Sequence, residues 1–167
     1  MIEYLPADYN QPIRACVFIS LAYQITGWLV TRARATHFSK EFMKKEFGSE
    51  HLSSVKSEVV EGGYPDCGDG RYAQKLSFGQ WHSFNQAVRG YLNFSEWIVA
   101  SLLGTLLSGL FYPTYGAYLG YAIALGRLMY SLGYLISPDK RMGGAVLSEL
   151  PILAQFVMTG IGLYYSK

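Results

Sequence analysis

The chain is expected to be an all-α integral membrane protein, a bundle of four transmembrane helices, and three observations predict it. Most of the charged side chains in the 167 residues, 18 of 26, lie between Arg32 and Lys75 and at Asp139 to Arg141, while the remainder is mainly apolar, aromatic and glycine-rich. Four segments approach the roughly twenty apolar residues that a helix needs to cross a bilayer. The sixteen residues after Glu96, WIVASLLGTLLSGLFY, carry no charge at all.

The first span covers about residues 13–33; its core IRACVFISLAYQITGWLV is interrupted by Arg14 and Gln24, and Arg32 and Arg34 follow. A polar connection of about residues 34–80 comes next. Its first half, HFSKEFMKKEFGSEH, suits a helix lying along the membrane surface, with Phe38, Phe42 and Phe47 as the apolar edge. Its second half, EGGYPDCGDGRY, is turn chemistry, because Gly, Pro and Asp supply the backbone angles and local hydrogen bonds of tight turns. Asp66 and Asp69 lack a calcium-loop spacing, so an ordinary turn is expected and no metal is assigned. The second span, about 81–112, ends before Pro113, which cannot continue a hydrogen-bonded helix. The third, 114–136, embeds Arg127, and the fourth, 143–165, carries Glu149 and Pro151 near its start. Residues 1–167 are read as a single membrane domain.

Basic residues set the topology. The connections after spans one and three hold most of the Lys and Arg, whereas FYPTYG holds none, which puts those two connections on the cytoplasmic-equivalent side. A net charge of +2, offset within the polar stretch, argues against a nucleic-acid partner. Two cysteines, Cys16 and Cys67, make neither a disulfide framework nor a metal cluster. The acidic start MIEYLPADYNQP has no basic region ahead of an apolar core, so no cleaved signal is expected.

An ionised side chain in a bilayer costs at least about 2.5 kcal/mol, so embedded charge faces a protein interior or a water-filled cavity. Arg89, Asn93 and Glu96 are spaced i, i+4, i+7 and share one helical stripe; Arg127, Tyr130 and Tyr134 repeat the pattern at i, i+3, i+7. With alternating helix directions these residues gather with Arg32, Arg34 and Arg141 near one membrane surface, a cationic, tyrosine-lined pocket suited to a small anionic ligand. Plainer readings stand beside this one. Arg89 and Glu96 suit an intramembrane salt bridge, the terminal basic residues are ordinary flanks, and the tyrosines fit an aromatic belt. No inverted repeat or continuous polar path supports a transporter.

FNQAVRGYLNFSE carries the pattern F-N-x-x-x-R-x-x-x-N-x-x-E, and GRLMYSLGYLISPDKRMGG carries G-R-x-x-Y-x-x-G-Y followed by a basic loop. On these motifs the chain resembles the membrane-associated proteins in eicosanoid and glutathione metabolism (MAPEG), and within them the type-3 microsomal glutathione transferases. The resemblance implies a homotrimer of four-helix protomers with glutathione as co-substrate, bound between neighbouring subunits. By motif position Arg89, Asn93 and Glu96 would hold glutathione, with Glu96 receiving its α-ammonium group, and Arg127, Tyr130 and Tyr134 would form the adjoining wall. Arg141 stands where relatives activate the thiol, with Tyr134 beside it, and Arg34 would meet a glutathione carboxylate.

The implied chemistry is coherent. A free thiol has a pKa near 8.5, so a guanidinium that stabilises the thiolate raises the reactive fraction at neutral pH. Arginine stays charged and also clamps carboxylates at two points. Lipophilic electrophiles or lipid hydroperoxides would reach the thiolate from membrane lipid, making the chain a glutathione transferase or peroxidase. The alternative is a non-catalytic structural or lipid-binding subunit of a larger membrane complex, for example mitochondrial. The membrane is expected to be that of the endoplasmic reticulum or the mitochondrion. Three departures stand out: Tyr91 where relatives often have His or Gln, Trp97 where a tyrosine is common, and the long first connection.

Overall fold

A computed structural model describes residues 5–166. The described residues form five α-helices: α1 (Asn10–His37), α2 (Lys40–Ser54), α3 (Phe78–Phe111), α4 (Pro113–Ile136) and α5 (Met142–Tyr165). Short 3-10 turns occupy Ala73–Lys75 and Pro138–Arg141. By length and hydropathy α1, α3, α4 and the Pro138–Tyr165 segment can cross a membrane, as expected. Helix α1 runs past the apolar window at both ends, taking in Asn10, Arg34 and His37, because helical hydrogen bonds do not require apolar side chains. Pro113 sits in the first turn of α4, where its missing N–H costs nothing. Ser39 caps α2, its hydroxyl accepting the Phe42 N–H at 3.3 Å.

The chain divides into two compact units. The first takes its described residues from Met1–Thr26 and Gly90–Lys167. Its core is Ile19, Ala22, Phe94, Ile123, Ala124 and Ile152, all buried. Val99, Leu103, Leu125, Leu153 and Val157 face outward, as lipid-facing residues do. Lipid is as apolar as leucine, so association of these helices depends on close packing and internal hydrogen bonds. Both are present. Gln155 on α5 is fully buried and donates to Thr105 Oγ1 at 3.1 Å and to the Gly116 carbonyl at 3.0 Å, tying α3, α4 and α5 together. Helices α4 and α5 meet backbone to backbone: a Cβ added to Gly126 would stand 2.8 Å from Ser148 N, and one added to Gly144 would collide with Tyr130 N.

The second unit, Gly27–Arg89, has its own core of Phe38, Met43, Phe47, Ala73, Leu76, Phe84 and Val88. This corrects the expected role of the phenylalanines as a membrane-facing edge. Phe38 and Phe47 are buried, with Phe38 edge-on to Phe84 at 5.0 Å and Phe47 against Tyr72 at 4.8 Å. The connection supplies apolar partners of its own in Ala73 and Leu76, so these rings bury against protein. Only Phe42 of the three remains partly exposed.

The turn chemistry around residue 66 has a specific organiser. The buried carboxylate of Asp66 accepts the backbone N–H groups of Gly68 (2.7 Å), Gly70 (3.0 Å) and Ala73 (2.8 Å). Gly68 adopts a φ of +105°, a conformation that needs glycine, and its carbonyl accepts Trp81 Nε1–H at 2.8 Å. An amide at position 66 offers one acceptor oxygen and two unwanted donors to three N–H groups. Asp66→Asn is therefore expected to destabilise the turn by about 1–3 kcal/mol. Amide hydrogen exchange at Gly68, Gly70 and Ala73 should accelerate; unchanged protection there would contradict the assignment.

Candidate functional site

In the first unit a polar network crosses from α4 to α3. Arg127 has no exposed surface, and its Nη1 donates to Asn93 Oδ1 at 2.8 Å. With that oxygen engaged, the Asn93 amide nitrogen donates to Glu96 Oε2 at 3.3 Å. The arginine thus selects which way the amide faces, and the amide in turn steadies the carboxylate. Glu96 itself is exposed. Its hydrogen-bonding partner here is Asn93, and the ion pairs among the described residues are Lys45–Glu46 and Arg71–Glu50, so Glu96 takes part in no salt bridge.

Two of the three departures noted in the sequence, Trp97 and Tyr91, each have a structural role. The Trp97 ring lies 5.2 Å from the Arg127 guanidinium, and tryptophan is the best ring for a cation–π contact. Tyr91 hydroxyl accepts from Tyr23 at 2.7 Å, and the two rings stack at 5.1 Å. Tyr23 also shares a 3.0 Å hydrogen bond with Ser95, one residue before Glu96. Sequence spacing marked Tyr91 and Trp97 only as departures, because their partners lie on α1 and α4.

Further along the same unit, Tyr130 is nearly buried and its ring lies 5.9 Å from that of Tyr134. The Arg141 guanidinium stands 5.2 Å from the Tyr134 ring, on the 3-10 turn that joins α4 to α5, and is partly exposed. The short turn and the buried glycine contact at Gly144 hold this arginine next to the end of α4.

Arg89 and Arg34 belong to the second unit. Arg89 is exposed on α3. Arg34 is 7% exposed: Nη1 donates to the Gly62 carbonyl at 3.1 Å, Nη2 to Cys67 Sγ at 3.9 Å, and the guanidinium lies over Tyr64 at 4.3 Å and Phe84 at 5.3 Å. That environment gives Arg34 a role in fastening the connection to α1, whereas Arg32 is exposed. The same unit contains a cleft of about 510 Å³ lined by Phe47, His51, Val55, Cys67 and Tyr72 among others. No group of three or more metal-ligating side chains occurs among the described residues.

Four membrane-length helices, with a buried arginine threading hydrogen bonds between two of them, define a polytopic membrane protein that holds polar chemistry inside its bundle. The family profile described as MAPEG matches residues 13–161, and the chain belongs to the MAPEG family. A search of curated proteins found no match.

Proposed function

We propose that the protein binds glutathione and uses its thiolate to conjugate lipophilic electrophiles or to reduce lipid hydroperoxides. The observation that carries this reading is the Arg127–Asn93–Glu96 network, which presents one exposed, oriented carboxylate. A carboxylate so held suits the α-ammonium group of a peptide. Arg141, partly exposed beside Tyr134, is the group proposed to stabilise the thiolate, and Arg89 is proposed to meet a glutathione carboxylate. Tyr130 and Tyr134, whose rings lie 5.9 Å apart, are proposed to form the adjoining wall of the glutathione site. Arg127, with no exposed surface, works through Asn93.

In conjugation the thiol releases its proton to solvent, and the thiolate sulfur forms a bond to the electrophilic carbon while a leaving group departs or a double bond accepts the pair. In peroxide reduction two glutathione molecules are oxidised to the disulfide and the hydroperoxide is reduced to alcohol and water. Apolar substrates dissolve in the bilayer, so the membrane concentrates them. The type-3 microsomal branch and a homotrimeric assembly are part of this proposal, resting on the motifs.

Calorimetric titration of the detergent-solubilised protein with glutathione, with the ultraviolet absorbance of the thiolate followed in parallel, tests it. Saturable binding with a thiolate band is expected, and Glu96→Gln should weaken affinity by about tenfold or more. No binding by the wild-type protein would remove the proposal.

A further inference from the structure

The burial of Arg127 exceeds what its hydrogen bonds explain. Nη1 is engaged by Asn93, but Nε and Nη2 have no hydrogen-bond partner among the described residues, and no carboxylate forms an ion pair with it. A guanidinium held this deep is retained only where opposite charge lies near. Two carboxylates stand on the helices beside it, Glu149 on α5 and Glu96 on α3. Packing brings the first alongside it. Gly126, the residue before Arg127, lies against Ser148 N, the residue before Glu149. Counting along the helices, Arg127 lies roughly 14 Å before the end of α4 and Glu149 roughly 11 Å into α5, a matching depth in two antiparallel neighbours.

We infer that Glu149 is the counter-charge of Arg127 and a positioning residue for ligand recognition, leaving Glu96 free to receive an ammonium group. One guanidinium facing one carboxylate would cancel the field of Glu96 at the ligand. With Glu149 as second carboxylate the local sum is −1, and the exposed member of the set, Glu96, carries it toward the ligand while Glu149 is half-buried. The peptide recognised is thus one with a free α-amino terminus. The inference rests on the glutathione reading.

Binding of glutathione, and of its analogue with hydrogen in place of the α-amino group, is measured on the wild type, Glu149→Gln and Glu149→Asp. The Gln variant should bind glutathione about tenfold more weakly yet bind the analogue within about twofold of wild type. The Asp variant, which keeps the charge, should stay within about threefold for both peptides. Unchanged glutathione affinity in Glu149→Gln, or equal weakening toward both peptides in either variant, overturns the positioning role while leaving glutathione binding intact. Failure of the wild type to bind either peptide instead removes the glutathione reading, and this inference with it.

Discussion

Gly144→Ala is expected to break the pairing of α4 with α5. A methyl group there would overlap Tyr130 N and stand 2.6 Å from both the Gly126 carbonyl oxygen and Tyr130 Cα. These are backbone atoms in the middle of a helix, so no side-chain rotation relieves the clash and the helices must separate. Separation would also spoil the 2.8 Å fit of Gly126 against Ser148 N. Overpacking of this kind costs about 3 kcal/mol or more. The measurement is thermal unfolding in detergent, read with the proteolytic sensitivity of the Ser137–Arg141 turn. A variant as stable as the wild type would mean that the interface is looser than its geometry indicates. Gly143→Ala serves as the control, since a Cβ there meets no atom within 4 Å.

Arg141→Ala is expected to lower kcat by about a hundredfold or more, the usual effect of removing a group that stabilises developing or transferred negative charge. Glutathione affinity should change much less, because the proposed peptide contacts at Glu96 and Arg89 remain. The sign of the pH effect follows from the chemistry. A guanidinium favours the thiolate and so lowers the pKa of bound thiol; without it the thiol titrates nearer the free value of about 8.5. The variant should therefore recover rate as pH rises toward that value, and its thiolate absorbance at neutral pH should vanish. A flat pH–rate profile equal to that of the wild type would exclude Arg141 from thiolate stabilisation. Arg141 rests over Tyr134 on a short turn and fills no core position, so loss of rate without loss of stability is the expected pairing.

Much of the fold was legible in the sequence. The spans follow from runs of apolar residues, and the break at Pro113 follows from a missing N–H, both local properties. The site was partly legible. The i, i+4, i+7 rule placed Asn93 near Glu96, and these two do form a hydrogen bond. Glu149 was visible as a charge within a span, but nothing in its neighbours pointed to Arg127. The phenylalanines of α2 matched an amphipathic surface helix equally well until Ala73, Leu76 and Phe84 were found against them. Arg34 read as a membrane-flanking cation or, from the resemblance, as a contact for a glutathione carboxylate; its burial depends on Gly62 and Tyr64, about thirty residues away along the chain.

The sequence by itself determined that this is a four-span membrane protein of the MAPEG family, because hydropathy, helix length and motif spacing are set by residues close together in the chain. Tertiary structure alone decided which polar atoms meet: that Arg127 turns the Asn93 amide, that Trp97 covers the guanidinium, and that Asp66 gathers three backbone N–H groups. Helical periodicity specifies the face a side chain occupies. Which element comes to lie against that face depends on close approaches such as Gly126 to Ser148, and those are fixed only when the helices pack.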